Sequence, residues 1–173
     1  MKSLPYEGAL FTSAELAEAI GADLETIKNW VRRGIISRAR IGGRQMPNRL
    51  FSADEVYKTA VTYELVKLGL APSAATEAVN TIWGQCDRNG FFEDKQIYAI
   101  LFPTDDKWTT VLCSQREQGG PLYRFTRSTA RSQEKIRLPD RAFAVLPITG
   151  TLTQIAKRLE SIIEATKEPP IGN

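Results

Sequence analysis

Apolar residues in the first half of the chain recur at helical spacing, and the segments are punctuated by residues that start or stop helices. Thr12 and Glu15 form a capping-box pattern that predicts a first short helix, and Gly21 predicts its end. Asp23 then predicts the start of a second helix over residues 24–33, which the next glycine closes. Two short helices joined by a tight turn are the helix-turn-helix pattern.

The second predicted helix has two different sides. Leu24, Ile27, Trp30 and Val31 form one apolar stripe, which we expect to hold the helix against its partner. The other side is polar and carries Glu25, Thr26, Lys28, Asn29, Arg32 and Arg33.

A β-hairpin and two further helices are predicted next. Residues 37–41 are β-prone, Gly42 and Gly43 offer a sharp turn, and residues 48–51 are predicted to return as the second strand. A second capping box, Ser52 with Glu55, predicts a helix over residues 53–68. Pro72 occupies a first-turn position, which predicts a fourth helix from Ser73 to residues 83–85.

The pattern changes from helical to strand-like at about residue 91. Strands are predicted over residues 96–102, 108–113, 122–125 and 142–146, with a turn at 103–107 and a polar loop at 126–140. A C-terminal helix is predicted to start after Gly150 and to run to about Lys167. Its apolar stripe is expected either to pack on its own sheet or to form a dimer interface. The stripe consists of Leu152, Ile155, Ala156, Leu159, Ile162 and Ile163.

These elements predict an α+β protein of two units. The first, residues 8–86, is a winged helix-turn-helix of four helices and a two-stranded wing. The second, residues 91–168, is a small α+β domain with about four strands and the amphipathic helix, expected to dimerise, to sense a ligand or to bind a partner.

Composition removes several classes of function. The chain contains no histidine and only two cysteines, Cys86 and Cys113, without close ligand spacing, so neither a metal site nor His-dependent catalysis is expected. We find no nucleophile–base pair, no paired catalytic carboxylates and no glycine-rich phosphate loop, and we expect no enzyme, no catalytic residue and no cofactor. No membrane span and no cleavable leader are recognisable, which favours a cytoplasmic location.

Charge is distributed unevenly along the chain. Residues 26–50 contain seven cations and no Asp or Glu, although the whole chain carries only +3. A fortuitous basic patch, or a hairpin rich in arginine for solubility, is the alternative to phosphate binding. We favour phosphate binding, with the second helix in the major groove and the hairpin along the backbone or in the minor groove. The predicted DNA-binding residues are Thr12, Thr26, Lys28, Asn29, Arg32, Arg33, Arg38, Arg40, Arg44 and Arg49.

The residues from Phe11 to Ile36 resemble the DNA-binding domain of the MerR family of transcription regulators. The resemblance lies in Phe11-Thr12, Leu16-Ala17, Ile20-Gly21, Thr26-Ile27-Lys28, Trp30 and the run from Arg32 to Ile36. Arg49-Leu50-Phe51-Ser52, followed by Asp54, Glu55 and Val56, is similar to that family's arginine–aromatic–serine–acidic signature. Phage excisionases and terminase small subunits share this domain type. MerR regulators commonly continue into a long coiled-coil helix, whereas here residues 85–90 break the helix.

The resemblance implies a sequence-specific regulator of transcription that binds double-stranded DNA, and we expect a homodimer on an inverted repeat. The alternative is an architectural, excisionase-like or phage-type DNA-binding factor that uses the same domain. A third hypothesis makes the second half an enzyme tethered to DNA. In a fourth, that half binds a small molecule or a protein such as RNA polymerase.

Overall fold

The computed structural model describes residues 5–6, 8–37, 40–41, 44–45, 50–85, 96–103, 108–115, 123–124 and 144–167. The first half contains β1 (Leu10–Phe11), α1 (Ser13–Ile20), α2 (Leu24–Arg32), β2 (Arg40–Ile41), β3 (Arg44–Gln45), β4 (Phe51–Ser52), α3 (Ala53–Lys67) and α4 (Pro72–Gln85). The second half contains β5 (Gln96–Pro103), β6 (Trp108–Gln115), β7 (Tyr123–Arg124), β8 (Ala144–Pro147) and α5 (Ile148–Lys167). The protein is thus a mixed helix and strand structure, as predicted.

Helix α1 begins and ends where its local sequence predicts. The Thr12 hydroxyl accepts a hydrogen bond from the Glu15 amide at 3.3 Å, and the Glu15 carboxylate accepts one from the Thr12 amide at 2.6 Å. Gly21 ends the helix in the left-handed region, with φ of 69°. A Cβ at this position would also lie 3.4 Å from the Arg158 guanidinium, so glycine suits both the backbone conformation and the close approach of α5.

Helix α2 begins at Leu24 as predicted, but its capping and its last residue differ from the prediction. Asp23 occupies the N-cap position, but its side chain makes no capping hydrogen bond, so the role predicted for it is wrong. The helix ends at Arg32, and Arg33 is the C-cap residue. Leu24 was predicted to be part of the buried stripe and is instead 36% exposed, whereas Ile27 and Trp30 are buried as predicted.

The hairpin after α2 is shorter than predicted. Arg40 pairs with Gln45 and Ile41 with Arg44, so the returning strand lies directly after the glycine pair and not at residues 48–51. Phe51 pairs instead with Phe11, in a separate two-stranded sheet of β1 and β4. The physical reason is burial: Phe11 and Phe51 are 2% and 0% exposed, so their pairing places two aromatic side chains in the core. Met46 to Arg49 lie outside the described residues.

Helices α3 and α4 form the support for the helix-turn-helix. The Ser52–Glu55 capping box is present, with the Ser52 hydroxyl 3.3 Å from the Glu55 amide, and α3 ends one residue before the predicted bound. Helix α4 begins at Pro72 itself. The Trp83 indole N–H donates to the Asp54 carboxylate at 3.0 Å, and Lys58 lies 2.9 Å from the same carboxylate. These contacts tie the C-terminal part of α4 to the first turn of α3.

The second half folds around an antiparallel sheet in which the strand order is β7-β6-β5-β8. Pro103 was predicted to be in a turn, but it is the last residue of β5 and pairs with Trp108. A proline is compatible with the end of a strand, where one fewer ladder hydrogen bond is required. The strands at 122–125 and 142–146 are present as the shorter or shifted β7 and β8, and the predicted loop at 126–140 lies outside the described residues.

Helix α5 begins three residues earlier than predicted. Gly150 lies inside its first turn, where the backbone N–H has no helical partner and a glycine costs little. The buried Thr149 hydroxyl accepts a hydrogen bond from the Ile97 amide at 2.9 Å, which joins this turn to β5. No helix in the part of the chain that the structure describes is long and apolar enough to cross a membrane.

The apolar stripe of α5 is buried between the two halves of the protein. Leu152 and Leu159 are fully buried, and α5 packs against β5, α1 and α3. Arg158 also donates a hydrogen bond to the Ala19 carbonyl, at the end of α1, at 3.0 Å. The predicted packing on its own sheet is therefore only part of the arrangement. The alternative prediction, that this stripe is a dimer interface, is wrong because the stripe is covered within the chain.

A single hydrophobic cluster contains buried residues from both halves, among them Leu16 and Val61 from the first and Ala99 and Leu159 from the second. The division into units at 8–86 and 91–168 stays a prediction, since a boundary in the chain does not require a boundary in the core.

The Ser52→Ala variant is expected to lower the free energy of unfolding by about 1 kcal/mol, because the first turn of α3 loses its capping acceptor. Urea denaturation followed by circular dichroism measures this change. Ser161→Ala is the matched control, since Ser161 is an exposed serine inside α5 and alanine has the higher helix propensity. Equal losses in the two variants would contradict the capping role of Ser52.

Candidate nucleic-acid interface

The exposed face of α2 is the centre of the candidate interface. Ile27 and Trp30 are buried at 0% and 6% exposure, and they fix which side of the helix points inward. Glu25, Asn29 and Arg32 recur at i, i+4 and i+7 on the opposite side, and all three are exposed. A short helix with one anchored side and one polar side is suited to lie in the major groove of DNA.

Trp30 is the main anchor of α2. Its ring meets that of Tyr63 in α3 edge to face, with the centroids 6.1 Å apart and an interplanar angle of 63°. The Lys67 ammonium lies over the Tyr63 ring, 5.8 Å from its centroid. Aromatic pairs of this geometry contribute about 0.5–1.5 kcal/mol beyond the burial of their area. This contact joins α2 to α3, in addition to the packing of α2 against α1.

The side chains on the exposed face are hydrogen-bonded to one another along the helix. The Lys28 ammonium lies 2.5 Å from the Glu25 carboxylate, and the Arg32 guanidinium donates to the Asn29 side-chain carbonyl. Both contacts join residues three apart, which is the spacing at which helical side chains meet. The face thus presents two polar pairs.

The residue predictions for this region have different outcomes. Thr12 caps α1, Thr26 and Lys28 are half-buried on α2, and Asn29, Arg32 and Arg33 are exposed. Arg40 and Arg44 lie in the strands of the hairpin, while Arg38 and Arg49 lie outside the described residues. DNA contact by any of these residues stays a prediction.

Glu25 belongs to the exposed face but was absent from the predicted contacts. Its side chain is 71% exposed, and it lies in the first turn of α2. The sequence pattern already places Glu25 on the polar side of α2, and the structure puts it in line with Asn29 and Arg32 on that side. It was not among the predicted contacts, because glutamate has the sign opposite to that expected beside phosphates.

The base of the hairpin is attached to α4 and borders a cavity of about 620 Å³. The Thr76 hydroxyl lies 3.5 Å from the Ile35 carbonyl, just before the hairpin. Glu55 also lines this cavity, and burial raises the pKa of its carboxyl, opposed by hydrogen bonds from Ser52. Ser52, Glu55 and Thr76, which line this cavity, thus already form hydrogen bonds in the first turns of α3 and α4.

Comparison with known proteins agrees with this geometry. Residues 11–81 match the model of the MerR helix-turn-helix family of regulatory proteins. The matched segment begins at the core strand residue Phe11 and ends within α4, so it contains α1, α2, the hairpin and α3. Among curated proteins, none matches the chain significantly. Over residues 11–81 the chain is therefore similar to the helix-turn-helix regulatory proteins of the MerR family.

Proposed function

We propose that this protein is a transcription regulator that binds double-stranded DNA sequence-specifically, with α2 in the major groove and the β2–β3 hairpin as a wing on the backbone or in the minor groove. The observation that carries the proposal is the exposed face of α2 within a MerR-type domain. Its amide and guanidinium groups, Asn29 and Arg32, are those that pair with adenine and guanine edges respectively.

The hairpin supports the same orientation. Arg40 and Arg44 lie in the paired strands of a hairpin that follows α2 in the sequence. Residues 26–50, which contain both elements, carry seven cations and no Asp or Glu. Such cations beside a recognition helix position the protein on the phosphates and carry little sequence information. We therefore assign Arg32 and Asn29 to base recognition, and Arg40 and Arg44 to backbone binding.

The proposal predicts a steep dependence of DNA affinity on salt. Each neutralised phosphate contributes about −0.9 to the slope of log K against log salt, so several contacts should give a slope steeper than about −3. Fluorescence anisotropy with a labelled duplex measures the slope, and Arg44→Ala should reduce its magnitude by about one while weakening all sequences alike. Lys157→Ala, which removes an exposed cation from α5, is the control. A flat slope for the wild-type protein would overturn the proposal.

A homodimer on an inverted repeat belongs to the proposal, but its interface must lie away from the buried stripe of α5. Analytical ultracentrifugation with and without a duplex measures the assembly. A protein that stays monomeric on DNA would remove the dimer from the proposal.

The burial of α5 also gives weight to the alternative, an architectural or excisionase-like factor. MerR regulators commonly dimerise through a long coiled-coil helix, and here the last long helix folds back onto α1 and α3. Footprinting discriminates between the two: a single dyad near a promoter favours the regulator, and a phased array of sites favours the architectural factor. For the second half we retain the binding of a small molecule or a protein as the proposed role.

A further inference from the structure

The exposed face of α2 carries an anion at the position where a recognition helix most often meets base edges. Glu25 lies in the first turn, and the N-terminal residues of such helices contact the bases. Its position at i, with Asn29 at i+4 and Arg32 at i+7, places it in line with the two groups assigned to base recognition. On DNA this carboxylate lies near the negatively charged phosphates. It can therefore favour binding only if it accepts a hydrogen bond from a donor on a base.

We propose that Glu25 is a specificity-determining residue whose carboxylate accepts a hydrogen bond from the amino group of a cytosine in the major groove. The inference rests on the proposed function. Cytosine N4 is the only hydrogen-bonding group that this base offers in the major groove, and it is a donor that Glu and Asp side chains recognise. A thymine at the same position offers an acceptor, which repels the carboxylate.

The ion pair between Glu25 and Lys28 adds to the discrimination between DNA sequences. In the free protein the Lys28 ammonium lies 2.5 Å from the Glu25 carboxylate, so each charge offsets the other on the exposed face. On a matching site the carboxylate binds the cytosine amino group and Lys28 is released toward a phosphate or a guanine. On a mismatched site no cytosine amino group faces the carboxylate, and its negative charge is repelled by the phosphates. Glu25 thus discriminates mainly by weakening the binding of wrong sequences.

An anion in the first turn of a helix also stabilises that helix through its dipole, and an i, i+3 ion pair adds a little more. These structural roles require no DNA and depend on no base. Selection of binding sites from a randomised duplex library separates them from recognition, because only a base contact changes the selected sequence.

The experiment compares the wild-type protein with Glu25→Gln and with Glu64→Gln. Glu64 is the matched control, because it forms an i, i+3 pair with Lys67 on α3, with nitrogen–oxygen distances of 3.0 and 3.1 Å. Wild-type protein and Glu64→Gln are expected to select a C·G pair at one position of the site. Glu25→Gln is expected to lose that preference, with discrimination there falling by about fivefold or more, and to bind random duplex a few-fold more tightly.

The outcomes separate the inference from the proposed function. Identical selected sequences for wild-type protein and Glu25→Gln would overturn the inference and leave DNA binding intact. A wild-type protein that binds no duplex would overturn the proposed function and the inference with it. Lys28→Gln supplies an independent check, since it should weaken binding to all sequences while keeping the preference for the C·G pair.

Discussion

The Leu159→Ala variant is expected to destabilise the helix-turn-helix as strongly as the sheet, although residue 159 lies far outside the MerR-type segment. Leu159 is fully buried on α5, the helix that packs against α1, α3 and β5. Truncation of a buried leucine costs about 2–5 kcal/mol, through lost transfer free energy and the cavity that remains. Domains of this size are stable by about 5–15 kcal/mol in total, so the loss is a large share of the stability.

Hydrogen exchange followed by mass spectrometry measures where the stability is lost. Because one cluster contains Leu16, Val61, Ala99 and Leu159, protection is expected to fall together in α1, α3 and β5. Lys157→Ala, an exposed change on the same helix, should leave protection unaltered. Loss confined to β5 and α5 would show instead that the two predicted units, 8–86 and 91–168, unfold separately.

The Arg32→Ala variant is expected to produce the largest loss of specific DNA binding among the single changes on α2. A bidentate arginine–guanine contact contributes about 1–3 kcal/mol of discrimination, which corresponds to roughly 5- to 150-fold in affinity. Unlike Arg44→Ala, which should weaken all sequences alike, this variant should lose its preference at one base pair. Binding isotherms on the selected site and on its single-base variants measure both effects.

The hydrogen bond between Arg32 and Asn29 gives this prediction an internal check. Because each side chain orients the other, the double variant Asn29→Ala/Arg32→Ala should lose less affinity than the sum of the two single losses. Lys157→Ala again controls for the removal of one positive charge at a distance from α2. An equal loss of DNA affinity in Lys157→Ala and Arg32→Ala would show that Arg32 contributes only non-specific electrostatic attraction.

Local features of the first half were predictable because they depend on residues close in sequence. Each capping box joins residues three apart, and both boxes, at Thr12 and Ser52, are present. Gly21 and the buried pair Ile27 and Trp30 follow from the same local rules. The domain type was predictable for a related reason, since its order of caps, stripe and basic hairpin is encoded within about 70 consecutive residues, as the match over 11–81 shows.

Predictions that depended on distant partners were less successful. The returning strand was assigned to residues 48–51 because they are β-prone, but Phe51 pairs with Phe11, 40 residues away, in the core. Leu24 was assigned to the buried stripe of α2 by its helical spacing, but it is 36% exposed. In both cases the missing information was which buried residues occupy the same space.

The sequence by itself determined the helix-turn-helix, its capping residues and the basic character of residues 26–50, because these features depend on short-range hydrogen bonds and on the counting of charges. Only the tertiary structure decided that the apolar stripe of α5 packs between the sheet and α1 and α3, with Arg158 bonded to the end of α1. Helical periodicity identifies an apolar face but not its partner, since burial of apolar area is non-directional and any complementary surface satisfies it.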